Sequence, residues 1–290
     1  MATWPHDDGV LIFLHLGKTA GTTLGPVMDR QVKHDELYAI HLFKENDQLI
    51  AQPESVRAKL RLVRGLTYYG IHDHLPRQAT YFTMLRHPID RIISQYFYNF
   101  RRAERAGKHK KERPIEVEIE KTPMMPRSQI SKIIGGATIW AVSENPLPDN
   151  ALALAKQRLE SFPVVGFQEY FDESLLMMAN TFGWGNVTYA ARNVAPDKSQ
   201  RNKISPESLK FVEQAAAPEI EMYTWARARF EAELKDQPPA FQRDLAALRE
   251  RSRRYGALYN RTAWLRSTPA YKAFRRVFWP GWTPPELDEE

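Results

Sequence analysis

Apolar residues fall in two kinds of run along the chain. Val10 to Leu16, VLIFLHL, is almost unbroken and of strand length, the pattern of a central strand covered on both faces in a parallel sheet. Thr80 to Leu85 repeats it, and PVVGFQ reads as a short buried strand. Elsewhere the period is helical. Pro88 stands at the first position of a helix in which Ile92, Ile93, Tyr96 and Phe97 pack inward, while Arg91, Ser94 and Gln95 share one face by three-and-four spacing. DNALALAKQRLESF predicts a helix capped by Asp149 or Asn150, and DESLLMMANTFGW another from Asp172. A further helix begins near Ser205–Pro206 and runs through EMYTWARARFEAEL. Between Arg101 and Arg127 the sequence is charged, proline-marked and without steady period, which predicts a surface loop or lid. Pro238 and Pro239 mark a boundary, beyond which Phe241 to Leu258 is helical and basic.

Composition narrows this picture. A chain of 290 residues supports one sizeable core, and no apolar stretch approaches the ~20 residues of a spanning helix. Cysteine is absent, which excludes disulfides, a thiol nucleophile and a cysteine metal site. The opening MATWPHDDGV is acidic and polar where a secretory signal needs a basic start and an apolar middle, so a cytoplasmic start is expected. A formal charge of +6 favours anionic partners, whether nucleotide, acidic glycan, lipid headgroup or nucleic acid.

The candidate chemistry follows the first strand. Gly17, Lys18, Thr19, Ala20, Gly21, Thr22 and Thr23 lead into LGPVMDR, so a small-residue loop joins a strand to a helix start and can offer backbone N–H groups to a phosphate. It is not the G-x-x-x-x-G-K-[ST] loop, which would need glycine where Ile12 stands. Lys18 precedes the turn, Gly21 permits close approach, and Thr22 and Thr23 add hydroxyl donors. A plain turn with a solvated lysine is the bland alternative. Arg86 ends the second strand, and with Ser94 on the next helix it could hold one phosphate.

HLGKTAGTT resembles the 5′-phosphosulfate loop, and LRHPIDRIISQY the 3′-phosphate segment, of sulfotransferases that use 3′-phosphoadenosine 5′-phosphosulfate. The resemblance is to the carbohydrate group that includes heparan sulfate 2-O- and 6-O-sulfotransferases and bacterial homologues. It runs from about Val10 to Leu234, with the two motifs in order and roughly seventy residues apart. It implies an α/β fold, a P-loop-like three-layer sandwich with a central parallel sheet, over 10–235; the residues outside it read as an N-terminal segment at 1–9 and, from the composition shift, a helical basic C-terminal extension at 236–290. It further implies that Lys18 contacts the 5′-phosphosulfate, that Thr19, Ala20, Gly21, Thr22 and Thr23 complete that loop, and that Arg86 and Ser94 hold the 3′-phosphate. Gly17 replaces a frequent proline, and His87 replaces an acidic residue, which weakens the usual helix N-cap.

Sulfuryl transfer needs a base for the acceptor hydroxyl. RGLTYYGIHDHLPR holds His72 and His74, whose imidazoles would share a face in an extended segment. Bacterial relatives resemble RGHxxYGLHxHLPR there, so Leu66 stands where they have a first histidine. The resemblance makes His72 the first candidate base and His74 the second; the alternative is that both pack near Pro76. A metal site at the H-x-H pair would need a third ligand such as His41 or Asp73, and the chemistry requires none.

Arg101, Arg102, Arg105, Lys108, His109, Lys110, Lys111 and Arg113 could face an anionic acceptor or be a solvated charge run. By position in the family, Arg192, Asn193, Lys198 and Arg201 are further donor-site candidates. The final TPAYKAFRRVFWPGW mixes aromatic and basic residues, an amphipathic segment that could dock on the domain, pair with another subunit or rest on an anionic membrane. The expected activity is O-sulfation of a carbohydrate or glycolipid by a cytoplasmic or membrane-peripheral protein. The rival is a noncatalytic nucleotide- or glycan-binding module in which Leu66 marks a lost base. No nucleic-acid recognition motif is present, and a phosphotransferase is disfavoured by the misplaced lysine.

Overall fold

The computed structural model describes residues 9–105, 107, 113–135, 147–191 and 200–271. The first apolar run forms β1 (Val10–Leu14), all five residues of which are buried. It is followed by α1 (Gly21–Asp29), β2 (Leu37–Ile40), α2 (Glu45–Ile50), α3 (Glu54–Arg57) and β3 (Leu62–Gly65). A 3-10 helix at Ile71–His74 leads to β4 (Ala79–Leu85) and α4 (Pro88–Arg105). Next come α5 (Ile115–Lys121), α6 (Ser128–Ile134), α7 (Ala151–Glu160), β5 (Val165–Phe167) and α8 (Phe171–Phe182). The chain continues through α9 (Pro206–Ala215), α10 (Ala217–Lys235), α11 (Pro239–Arg261) and α12 (Ala263–Ser267).

The five strands form one all-parallel sheet in the order β2-β3-β1-β4-β5, flanked by helices as an α/β sandwich. Leu14 at the end of β1 pairs with Gly65 on one side and Thr83 on the other. After β1 the chain leaves toward β2, and after β4 it leaves toward β5. The connections therefore diverge between these two neighbours, which opens a crevice at their carboxyl ends. The two loops singled out in the sequence flank that crevice.

The unbroken apolar strands need cover on both faces. Phe13 packs on Phe82 at 5.1 Å between ring centres, and Phe82 on Phe182 at 5.0 Å, which joins β1 and β4 to α8. Phe241, Leu245 and Leu248 on the first half of α11 belong to the same core. A second cluster gathers Ile89, Ile92, Ile93, Tyr96 and Phe100 of α4 with Ile115, Ile119 and Met125.

That second cluster corrects the reading of Arg101 to Arg127 as a loop or lid. Arg101–Arg105 complete α4, and α5 buries Ile115 and Ile119 against it, a short amphipathic pattern hidden by surrounding charge. Lys108, His109, Lys110 and Lys111 lie outside the described residues, as do Arg192, Asn193, Lys198 and most of TPAYKAFRRVFWPGW. Asn150 occupies the N-cap of α7 but its side chain makes no capping bond; the backbone N–H of Ala151 bonds the Pro148 carbonyl instead. Ser205 caps α9 as expected, accepting from the Ser208 N–H at 3.1 Å.

Candidate functional site

The loop after β1 turns sharply. Lys18 and Ala20 both adopt left-handed backbone, with φ of 69° and 64°, a conformation that costs non-glycine residues of order 1 kcal/mol each. Thr19 between them is fully buried and its hydroxyl donates to the Leu16 carbonyl at 2.5 Å, which fixes the turn. The Ala20 carbonyl accepts from the N–H groups of Thr23 and Leu24, so α1 starts at once and its first N–H groups face the crevice end of the sheet. Gly21 stands directly over the His15 ring. A Cβ there would lie 2.1 Å from His15 Nε2.

His15 is held neutral, its pKa lowered to about 3 by burial first and then by Lys132, Arg64 and Lys18. Arg64 is itself paired with Asp29 at 2.5 Å, a bridge from β3 to α1 that seats the helix on the sheet. The ammonium of Lys18 rests over the Tyr98 ring of α4, 4.1 Å from its centre.

Arg86 leaves β4 on the other side of the crevice, and its Nη1 donates to the Lys18 carbonyl at 3.1 Å. Residues 68 positions apart in the chain thus meet on one loop. Arg86 is positioned through its own backbone: its N–H donates to Gln129 Oε1 and its carbonyl accepts from Gln129 Nε2, both at 3.3 Å. Gln129 is held in turn by the buried Glu219 of α10, which accepts from Gln129 N at 2.6 Å, Gln129 Nε2 at 3.1 Å and Ile130 N at 3.2 Å. Arg91 completes the cluster, 3.4 Å from Glu219 and bonded to the Met125 carbonyl. Burial pushes Arg91 below and Glu219 above its ordinary pKa, each partly offset by the other.

Arg91, on the helix face it shares with Ser94 and Gln95 by spacing, is therefore an internal ion-pair partner. Ser94 is buried on α4, and Gln95 bonds Asn99 at 2.7 Å. The acid missing at position 87 is supplied by a distant residue, since the His87 N–H donates to Glu169 Oε1 at 2.7 Å. Arg201, the one described member of its candidate group, pairs with Asp90 on the first turn of α4 at 3.6 Å.

The crossover from β3 to β4 carries the histidines, and it is a 3-10 helix at Ile71–His74, not the extended segment expected. With three residues per turn, positions two apart point in different directions, so His72 and His74 do not share a face. Gly70, at φ 111°, makes the turn that starts it. His74 is exposed, and its backbone carbonyl accepts from Arg57. His72 packs against Tyr81, whose Oη accepts from Gly70 N at 3.1 Å and His72 N at 3.3 Å. Those two bonds occupy the phenol's lone pairs, so its own O–H points to His72 Nδ1, 2.9 Å away. Burial pushes the Tyr81 phenol upward, which keeps it a donor. Neutral His72 then bears its hydrogen on Nε2, 3.5 Å from Asp73 Oδ1.

Leu66, directly after β3, is partly buried and packs against the core; the Gly65 carbonyl before it accepts from His15 N at 3.2 Å. Its N–H bonds the Ile40 carbonyl, and its own carbonyl accepts from Asn46 at 3.0 Å.

One short helix ties these parts together. On α6, Gln129 holds Arg86, the Lys132 ammonium donates to the His15 carbonyl at 3.0 Å, and the Lys132 carbonyl accepts from Tyr69 N at 3.1 Å. Lys132 is pushed down to about 8, chiefly by burial and then by Arg91. Gln129, Lys132, Tyr98, Tyr81 and Glu219 were not singled out from sequence. A signal existed for two of them: Gln129 and Lys132 stand three apart in a helix whose Ile130, Ile133 and Ile134 are buried. No group of three histidine, aspartate or glutamate side chains among the described residues is placed to hold a metal ion.

Residues 2–136 match the model of a family described as the sulfotransferase family, a stretch that contains the loop, Arg86, the histidine crossover and α6. The match covers somewhat under half of the chain; it supports a sulfotransferase family member and, in general terms, sulfuryl transfer as its chemistry. No curated protein matches the chain.

Proposed function

We propose, on the premise that the chain is a sulfotransferase family member, that it moves a sulfuryl group from 3′-phosphoadenosine 5′-phosphosulfate to a hydroxyl of a sugar or glycolipid. The observation that supports this reading is the Arg86 guanidinium on the Lys18 carbonyl, which brings together the two segments proposed to bind the donor's anionic groups. A donor with anionic groups on the 3′ and 5′ oxygens of one ribose fits that pairing. The residues present suit it chemically as well. Arg86 and Lys132 give their hydrogen bonds to backbone carbonyls, and the carboxylates of Asp90 and Glu169 act on Arg86 from nearby, so a phosphate there would compete with them for its charge.

Lys18, Thr19, Ala20, Gly21, Thr22 and Thr23 would hold the 5′-phosphosulfate, and Arg86 with Ser94 the 3′-phosphate. Lys18 and the N–H groups at the start of α1 would stabilise charge on the departing phosphate. His72 would take the acceptor's proton, with His74 as the second candidate. In the hydrogen-bond arrangement here the basic nitrogen of His72 is Nδ1, so the Tyr81 hydroxyl must turn aside for that transfer. Sulfuryl transfer uses no metal in this scheme.

Leu66 favours a second reading, a nucleotide- or glycan-binding module without turnover, because the position where the resembled enzymes have a first histidine holds an apolar side chain packed against the core. One set of measurements separates the two. Adenosine 3′,5′-bisphosphate at about 100 times its Kd should stabilise the fold by ~2.7 kcal/mol and raise Tm by several degrees. Arg86→Ala should abolish that rise, and ATP with magnesium should not reproduce it. Equal protection by both nucleotides would overturn the donor assignment. Transfer from 3′-phosphoadenosine 5′-phosphosulfate to an acceptor glycan, lost in Lys18→Ala and His72→Ala, identifies the enzyme; bisphosphate binding without transfer to any acceptor identifies the binding module.

A further inference from the structure

α11 changes character along its length. Phe241, Leu245, Leu248 and Ser252 are buried against the domain, and after Ser252 no described residue up to Leu265 is buried. The side chains exposed there mix arginines with large apolar groups that a solvated helix end would not show. Among the described residues six large apolar side chains are strongly exposed, and four of them, Tyr255, Leu258, Trp264 and Leu265, fall in this one stretch. Leu258 is 59% exposed and Trp264 66%. Arg251, Arg254, Leu258 and Arg261 recur at steps of three and four, so they share one face of α11, with Tyr255 beside them.

The charge of this surface is one-sided. Glu250 pairs with Arg253 at 2.9 Å and with Arg254 at 2.6 Å, and it is the last carboxylate before Glu286. The sequence from Arg251 to Pro285 holds arginine, lysine and aromatic residues and no acidic one. An amphipathic surface of that make-up, with aliphatic and indole groups among arginines, has the chemistry of a helix lying in the interface of an anionic bilayer. No described helix is long and apolar enough to cross a membrane, so contact would be peripheral.

We propose that the second half of α11 together with α12 docks the protein on an anionic lipid surface. A second copy of the chain fits less well, because a symmetric pairing of this face would set identical arginines against each other. Nucleic acid would satisfy the arginines but give Leu258 and Leu265 nothing to bury against. The surface is remote in sequence from the donor site, and its role is independent of whether the protein transfers sulfuryl groups.

Flotation of the full chain with phosphatidylcholine vesicles, with and without phosphatidylglycerol, tests it. Binding is expected only with phosphatidylglycerol and should weaken as salt rises. Arg251→Gln, Arg254→Gln and Arg261→Gln should each lower partitioning about fivefold. The double variant Leu258→Gln, Trp264→Gln keeps the charge and should also lose vesicle binding, while melting as wild type because the buried half of α11 is untouched. Equal flotation with pure phosphatidylcholine, unchanged flotation of the variants, a concentration-dependent dimer that the double variant dissolves, or tighter binding to a single-stranded oligonucleotide than to vesicles would each overturn the proposal.

Discussion

Replacing Gly21 by alanine tests the packing of the loop directly. At the start of a helix such a change ordinarily stabilises by up to ~1 kcal/mol, since glycine has more freedom to lose on folding. Here the added methyl would lie 2.1 Å from His15 Nε2 and 2.5 Å from both neighbouring ring carbons, far inside contact. The ring has little room to retreat, because it stacks on Phe13 at 5.7 Å and Phe13 is buried. Overpacking of this kind costs ~1–3 kcal/mol, so Gly21→Ala should destabilise by about 1–2 kcal/mol net. With His15→Ala already in place the three closest clashing atoms are gone, and the same substitution should be neutral or stabilising. The double-mutant cycle therefore predicts a coupling of about 2 kcal/mol, measured by urea denaturation of the four chains. Bisphosphate affinity should follow the same pattern, because a displaced His15 moves the loop that it supports. A cost for Gly21→Ala that is the same with and without the imidazole would refute the reasoning.

Two other outcomes follow from the buried charges. Glu219→Ala removes the acceptor for Gln129 N, Gln129 Nε2 and Ile130 N and strands Arg91, so it should cost ~3–5 kcal/mol in urea denaturation. Glu219→Gln should cost less and weaken bisphosphate binding through Gln129 and Arg86; unchanged binding would disconnect that network from the site. His15 is neutral in the fold down to about pH 3, whereas its ordinary pKa is 6.5. Its contribution to stability is thus complete above pH 6.5 and is lost as pH falls toward 3, by at most about 5 kcal/mol. His15→Gln should flatten the acid limb of the stability curve, and parallel curves would contradict the assignment.

The features legible in the residues were local ones. The unbroken apolar run of β1, the small-residue loop, Pro88 at the start of α4 and Ser205 at the cap of α9 are each set by neighbouring residues, and each stands where its pattern put it. The loop and Arg86 were legible for the same reason, as strand ends followed by helix starts. Misreadings arose where local pattern was weak or overridden: α5 was masked by charge, β2 and β3 are four residues each, and the crossover took a 3-10 turn because Tyr81, in the next strand, gathers its N–H groups.

That Lys18 and Arg86 meet, that His72 and His74 part, and that Arg91 turns inward to Glu219, 128 positions away, follows from the packing of distant elements. Those outcomes depend on strand order, which places β1 beside β4 with their connections leaving in opposite directions. A hydrogen bond between distant residues requires both ends to be delivered to the same place, and that delivery comes from packing the whole sheet, a property no single stretch of residues encodes.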